Sequence, residues 1–399
     1  MSLKVTFAIP VYAPAWQYGG PVLSVSRLCE GLAAEGVDVR VLTTNAGLPD
    51  LPPEKLSRTL QRQGVEVRYF PVDQQKGAIR SRALEQALPE ALDGVELLHI
   101  SAIWQPLGLP LQRAALARGI PVLHSLRGAL GPYSFQHGWW KKLPYFLLKE
   151  RPLLQKAAGL HITSTQESRE LGWLGLHAPR YLLPNPMDLQ TLRPDPALGA
   201  ACRARMGLED NTPLLLICGR QHHKKGLDLL PPVLSTLREA RWQLLVVGGD
   251  SDGSGLRLRR QLESAGLGGR LLWQPTVPAG ALGGLYNAAD LLLLPSRHEN
   301  FGNVVVEALA CGCAVAISDR TGVSGDLLAT APQGYGAVLP RRQKPWSLWL
   351  EGWLRQPRRA GAQVAAWAAE HYGQQAVARR AIEIYELILQ TQPQRASPP

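Results

Sequence analysis

Residues 295–313 read Pro-Ser-Arg-His-Glu-Asn-Phe-Gly-Asn-Val-Val-Val-Glu-Ala-Leu-Ala-Cys-Gly-Cys, directly after four leucines at 291–294. A short apolar run followed by a polar loop has the pattern of a strand buried in a parallel sheet. Phe301-Gly302-Asn303 then leads into Val304-Val305-Val306-Glu307-Ala308-Leu309-Ala310, a helix apolar all round except for one carboxylate. Such a helix is core, and an ionised Glu within it needs partners, because an unpaired buried charge is very costly. Its N-terminus offers backbone N–H groups and a positive dipole end, a seat for a diphosphate. Glu307 lies five residues beyond Gly302, about 7 Å along the axis. The spacing suits one compact ligand, with hydroxyls on Glu299, a diphosphate at the helix start and ribose hydroxyls on Glu307. The competing reading pairs Glu307 with a buried arginine and leaves Glu299 an ordinary loop acid.

Working outward, strand-like runs alternate with helical stretches. Strands are expected at 5–9, 39–43, 65–70, 97–100 and 122–126, with a helix at 22–35 that ends on Gly36. A second series is expected at 214–218, 244–247, 271–273, 291–294 and 314–317, with helices at 227–240 and 256–265 between them. Alternation of this kind implies an α/β protein with two doubly wound parallel sheets, each covered by helices on both faces. The Pro-rich stretch 183–188, followed by Pro194 and Pro196, marks the boundary. Two such sheets facing each other would make a central cleft, because ligands of open α/β sheets bind at the carboxyl ends of the strands. The polar, Pro-ended tail after Gln390 is expected to be frayed.

At 399 residues, two domains are the default. The net charge of +11 favours anionic partners: nucleic acid, phosphate-bearing ligands or an anionic membrane face. The five cysteines show no metal-ligand spacing, and Cys311-Gly312-Cys313 is too tight for zinc or thioredoxin patterns, which favours a reduced, cytosolic protein. The first strand has no long apolar region behind it, so no signal peptide is expected. No run of 18 apolar residues is present to span a bilayer.

Further candidates sit at strand ends. The run 214–218 ends in Gly219-Arg220, and His222-His223-Lys224-Lys225-Gly226 follows. Arg220 and Lys225 there would neutralise a leaving diphosphate, although an isolated cluster of this type is usually a solvated basic turn. His222 and His223 read as ordinary turn residues without metal-ligand company. Val246-Val247-Gly248-Gly249 ends a strand in glycines that permit close backbone approach to a ligand. Tyr18-Gly19-Gly20-Pro21 separates the first strand from a helix, so its N–H groups would face a phosphate or an attacking hydroxyl. The dinucleotide fingerprint is incomplete, and no dehydrogenase is implied.

Together these residues resemble the retaining glycosyltransferases of family 4, in the glycogen-synthase-like superfamily with the two-domain GT-B fold. The resemblance runs from Gly19-Gly20 through Pro184-Asn185 to the final helix, and Glu299 and Glu307 with the residues between them are its most specific part. It implies an N-terminal acceptor-side domain over 1–187, a nucleotide-sugar-binding domain over 188–373, and a last helix at 374–392 that packs back on the first. It also implies that Glu299 and the N–H groups of Phe301 and Gly302 hold the donor sugar. Asn303 would give its N–H to phosphate, Arg220 and Lys225 would hold the diphosphate, and Glu307 would bind ribose. Gly19 and Gly20 would meet the donor phosphate, with Gly248 also on the donor side. The family commonly carries a histidine where this sequence has Arg127; some members, often of surface-polysaccharide pathways, have Arg-Gly there. His99 and His124 are nearby alternatives, each inside an apolar strand and reading as a satisfied core histidine. Pro186 stands where a glycine usually follows Asn185.

The implied reaction moves a sugar from a nucleotide-diphosphate donor (UDP or GDP) to an acceptor hydroxyl in polysaccharide, lipopolysaccharide or glycolipid assembly. No carboxylate reads as a nucleophile, so a glycosidase-like double displacement is not supported. No cofactor and no metal are expected. The stretch 139–156 mixes tryptophans, leucines and lysines. It reads either as an interfacial segment on anionic lipid that collects a lipid-linked acceptor, or as a packing helix with a solvated basic face. Trp346, Trp349 and Trp353 share one helix face and read as core. Three rivals stand beside the transferase: a nucleotide-sugar epimerase, an inactive donor-binding subunit, and a nucleic-acid binder. The last lacks any recognition signature, and its basic residues are dispersed, so no nucleic-acid partner is expected.

Overall fold

The computed structural model describes residues 3–73, 78–136, 138–189, 191–209 and 211–391. The chain divides into two compact units, one of residues 1–186 plus 374–399 and the other of residues 187–373. The tail beyond Thr391 lies outside the described residues.

Unit 1 holds an eight-stranded sheet. Its strands are β1 (Lys4–Val11), β2 (Asp38–Thr44), β3 (Thr59–Arg62), β4 (Val65–Phe70), β5 (Leu97–Ile100), β6 (Val122–Ser125), β7 (Gly159–Ile162) and β8 (Arg180–Leu182). The order is β3-β4-β2-β1-β5-β6-β7-β8, parallel except for the antiparallel β3–β4 hairpin. Three of these strands were not expected. β3 is half polar and partly exposed, as an edge strand should be. β7 and β8 are four and three residues long, too short for an apolar run to register.

Unit 2 holds six parallel strands: β9 (Leu214–Cys218), β10 (Gln243–Val247), β11 (Leu271–Gln274), β12 (Leu291–Leu294), β13 (Ala314–Ser318) and β14 (Gly336–Leu339). Their order is β11-β10-β9-β12-β13-β14. The chain lays down β9, β10 and β11 in one direction, then returns to place β12 against β9. The crevice for a ligand in such a sheet lies outside the carboxyl ends of the two strands at that reversal.

The helix expected over 227–240 is corrected. A 3-10 turn at Leu227–Leu229 precedes a short α-helix, Leu230–Ser235. Pro231 and Pro232 lack N–H groups and are tolerated only in a first turn. At the other end, the hydroxyls of Ser235 and Thr236 bond back to the carbonyls of Pro231 and Val233, which draws the backbone out of the helix. Of the tryptophan face, Trp346 is fully buried, whereas Trp349 and Trp353 are only partly covered.

The last helix, Gln374–Thr391, belongs to unit 1 and lies along the helix Gly20–Ala34. Gly31 permits that approach, since a Cβ there would come within 3.2 Å of the Ala378 methyl. The Gln374 side chain donates to the Arg27 carbonyl at 2.8 Å, and Arg379 pairs with Glu35 at 3.1 Å. The Tyr385 hydroxyl meets His99 Nδ1 at 2.9 Å, His99 Nε2 meets His161 Nδ1 at 3.0 Å, and His161 Nε2 meets the Leu183 carbonyl at 2.8 Å. That terminal carbonyl only accepts, so each proton is assigned in turn: His161 donates to Leu183, His99 donates to His161, and Tyr385 donates to His99. Both rings are neutral. Burial holds His99 well below the usual imidazole range and His161 at about 3. His99 is thus a satisfied core histidine, but His124 is not, since its buried Nδ1 has no hydrogen-bond partner.

Candidate active site

Arg220, Lys225, Gly248, Glu299, Phe301, Gly302, Asn303 and Glu307 all fall in unit 2, in the loops after β9, β10 and β12 or on the helix that follows β12. The sheet reversal between β9 and β12 brings two of those loops side by side. The Arg297 N–H donates to the Lys224 carbonyl at 2.7 Å. Across the same junction, Lys225 Nζ reaches Glu299 Oε2 at 2.5 Å. Neither side chain is deeply buried, each keeping about a quarter of its surface, so the pair is open to exchange partners with a ligand. The Glu299 backbone is fixed on its other side: its N–H donates to Arg320 at 3.0 Å and its carbonyl accepts from Gly322 at 2.9 Å.

Gly302 adopts φ 99° as the N-cap of the helix Asn303–Ala310. The left-handed backbone favours glycine, and a residue without a side chain leaves the first-turn N–H groups uncapped by itself. Phe301 is buried, with its ring against Tyr372, and contributes to the site through its backbone. Glu307 is 6% exposed, and the Tyr286 hydroxyl donates to its Oε2 at 2.8 Å. A phenol is therefore among its partners, where the competing sequence reading had an arginine. Burial next to that carboxylate drives the Tyr286 pKa far up, so the phenol stays a donor.

A cavity of about 410 Å³ opens among Gly219, Arg220, Gly248, Thr276, Tyr286 and Glu307, within the range of small-molecule sites. A second cavity, about 520 Å³, lies at the opposite ends of β9 and β10 around Pro213, Glu239 and Arg241, away from every candidate residue. Gly248 needs a revised explanation. A Cβ there would overlap the Gly219 carbonyl, so the glycine serves strand-end packing before any ligand.

His222 and His223 do have company, contrary to expectation: their ring nitrogens and a carboxylate oxygen of Asp252 lie within 4.8 Å of one another. The Lys224 N–H donates to His222 Nδ1 at 3.2 Å, which puts the neutral ring's proton on Nε2, facing Asp252 at 3.8 Å. Asp252 meanwhile accepts the N–H groups of His223 and Ser254. The cluster is hydrogen-bonded as a loop brace.

In unit 1, Gly19 (φ 79°) is the N-cap of the helix Gly20–Ala34. Arg127 stands just after β6 with φ 48°. Its guanidinium donates to Ser24 Oγ at 2.7 Å and to Asn185 Oδ1 at 3.0 Å, and Ser24 in turn donates to the Gly20 carbonyl at 2.9 Å. Burial lowers the Arg127 pKa to about 10, so it keeps its charge at neutral pH, and its buried Nε has no partner. Glu167 accepts the Gly128 N–H and that of Thr163, which holds the turn. Tyr286, Ser24 and Glu167 were not singled out from sequence; nothing in their local patterns separates them from core or surface residues.

Two doubly wound units, with the candidate site at the reversal of the second, define a GT-B glycosyltransferase. Residues 19–186 match the glycosyl transferase 4-like domain and residues 201–343 the glycosyl transferases group 1 domain. The chain belongs to these family-4 glycosyltransferases and is a sugar-transferring enzyme. It is 29% identical to a D-inositol 3-phosphate glycosyltransferase of Thermobispora bispora, over 92% of this chain and 89% of that one. A second such protein, from Kineococcus radiotolerans, is 27% identical over 93% and 91%. Among solved structures, sucrose-phosphate synthase of Thermosynechococcus elongatus shares the fold with TM-score 0.74 and 22% identity, covering 97% of this chain and 99% of that one. HepE of Anabaena, in complex with UDP and glucose, shares it with TM-score 0.69 and 17% identity, covering 96% and 100%. No helix among the described residues is long and apolar enough to cross a membrane.

Proposed function

We propose that the enzyme transfers a sugar from a UDP- or GDP-sugar to an acceptor hydroxyl with retention at the anomeric carbon. The acceptor would be a saccharide or lipid-linked glycan of surface polysaccharide, lipopolysaccharide or glycolipid assembly, handled at the cytoplasmic face of the membrane. The observation that carries this reading is the bracket in unit 2: Glu299 held by Lys225 on one side of the Gly302-capped helix tip, and Glu307 held by Tyr286 a turn further on. Glu299 and the N–H groups of Phe301 and Gly302 would take the sugar, and Asn303, Arg220 and Lys225 the diphosphate. Glu307 would take the ribose, beside the Gly248 strand end. In unit 1, Arg127 and the Gly19–Gly20 turn would keep the roles that the family resemblance implies for them.

The anomeric carbon–phosphate oxygen bond breaks, the acceptor oxygen bonds to the same face, and its proton passes to the departing phosphate. The growing charge on the leaving group would fall beside Arg220, Lys225 and a helix dipole, and positive groups aimed at developing charge stabilise a transition state. Those groups supply the positive charge a metal would otherwise bring, which supports a metal-free reaction without cofactor. That structural relatives hold UDP supports a uridine donor.

Crystals soaked with UDP-glucose test the assignment: diphosphate density at the tip of the Asn303–Ala310 helix is expected, and an empty cavity there would refute it. Proton NMR of the product separately reads the anomeric configuration, and inversion would overturn retention.

A further inference from the structure

Residues 139–156 form three short consecutive helical pieces: Trp139–Tyr145, a wide turn Phe146–Glu150, and Arg151–Leu154. The segment is anchored from beneath. Phe146 and Leu154 are fully buried, and Phe146 packs in an aromatic cluster with Phe135 and Trp104, ring centroids 5.9 and 6.4 Å away. What remains outside is apolar on a large scale. Trp139 and Trp140 are 60% and 62% exposed, Leu147 and Leu148 47% and 73%. All four lie within ten consecutive residues on either side of the junction between the first helix and the wide turn. Trp173, half exposed, stacks edge-on against the same Phe135 at 5.0 Å.

A soluble surface has no reason to hold two indoles and two leucines in water on a firmly seated element. The charges around them say what covers them. The segment carries Lys141, Lys142, Lys149, Arg151 and Lys156 against one acid, Glu150, and that acid is buried. Lys142 turns inward to the Ser134 carbonyl, whereas Lys141, Lys149 and Lys156 are exposed, with Lys141 lying over the Trp140 ring at 4.6 Å. Indoles prefer the level of lipid headgroups, and lysines reach past them to phosphate.

We propose that this surface docks unit 1 onto a bilayer of anionic phospholipid, with Trp139, Trp140, Leu147 and Leu148 entering the headgroup layer and the three outward lysines pairing with lipid phosphates. It rests on the reading of an acceptor handled at the membrane face and identifies the surface that brings the enzyme there. A protein partner fits less well, since its surface would have to be both strongly acidic and apolar at one spot.

The full chain is sedimented with vesicles of phosphatidylcholine alone and of phosphatidylcholine with about 30% phosphatidylglycerol, in low salt and in about 0.5 M salt, where the Debye length is roughly half its physiological value. The wild type should bind the anionic vesicles at least tenfold more strongly than the neutral ones, and lose most of that binding in high salt. Trp139→Ser with Trp140→Ser should lower binding at least tenfold even in low salt, and Lys141→Gln with Lys149→Gln and Lys156→Gln should remove the lipid preference. Equal binding to both vesicles, or variants that sediment like the wild type, would overturn the proposal. So would a wild-type dimer in light scattering that the tryptophan variant abolishes, because the face would then join two copies. UDP binding by calorimetry on the same samples keeps the two questions apart: it reports on the donor site in unit 2 and should not change with these substitutions.

Discussion

Glu299 and Glu307 sit in different surroundings, and the roles proposed for them are tested by different substitutions. Glu299 is a quarter exposed and tied to Lys225, a pair that contributes at most about 1 kcal/mol to stability. Glu299→Gln should therefore leave the thermal midpoint within a few degrees of wild type while lowering kcat about 10²-fold, since the sugar loses a fixed position. Unchanged turnover in a steady-state assay would remove the sugar-binding role. Glu307 is buried and accepts from Tyr286, so Glu307→Ala would strand a buried hydroxyl at about 1–3 kcal/mol and confuse stability with binding. Glu307→Gln keeps an acceptor for the phenol. It should raise the donor KM about tenfold with kcat nearly unchanged, the signature of a contact made equally in ground and transition states.

At the scale of elements, two buried polar devices tie unit 1 together. The chain Tyr385–His99–His161–Leu183 fastens the last helix to β5, β7 and the exit of β8. Tyr385→Phe leaves His99 Nδ1 without its donor inside the core and should cost about 1–3 kcal/mol in urea unfolding; a midpoint equal to wild type would deny the helix that anchor. The second device is Glu150, in the wide turn of the exposed segment, which accepts the Trp104 N–H at 3.1 Å. Burial raises its pKa from 4.5 to about 7. Between those values the folded state holds a proton that the unfolded state has released, so this carboxyl's contribution to stability falls as pH rises from about 4.5 to 7. Glu150→Gln keeps the acceptor and removes the titration. Its midpoint relative to wild type should climb from pH 5 to pH 8, towards about 3 kcal/mol of relative stabilisation. A difference independent of pH would show that the carboxyl titrates normally.

For the whole molecule, the two chain crossings run side by side at Met187 and Gly373, with the Met187 N–H donating to Tyr372 at 2.7 Å. Unit 2 is thus inserted within the sequence of unit 1, and the nucleotide site proposed for it can be tested by binding alone. Calorimetric titration with UDP, GDP and ADP should show one of them bound at least tenfold more tightly than the others. Turnover should survive EDTA, because the proposed reaction leaves neutralisation of the leaving group to Lys225, Arg220 and a helix tip; loss of activity restored by Mg²⁺ or Mn²⁺ would contradict that.

What lies in contiguous sequence could be read from it. The four leucines of β12, the Gly302 cap and the eight-residue spacing of the two glutamates report burial, backbone conformation and reach within one stretch of chain. The boundaries of β4, β5, β9 and β12 could be read to the residue for the same reason. Short or polar strands such as β3, β7 and β8 carry too few apolar residues for any period to show. Partners distant in sequence were decided only by the fold: Lys225 for Glu299, Tyr286 for Glu307, Ser24 and Asn185 for Arg127, Asp252 for the paired histidines. Gly248 shows the same division, its place at a strand end being plain in the sequence and its reason, the Gly219 carbonyl, only in space. Local periodicity fixes which residues are buried and which way the chain runs. The order in which parallel strands assemble decides which loops meet, and a hydrogen bond between loops tens of residues apart exists only once that order is set.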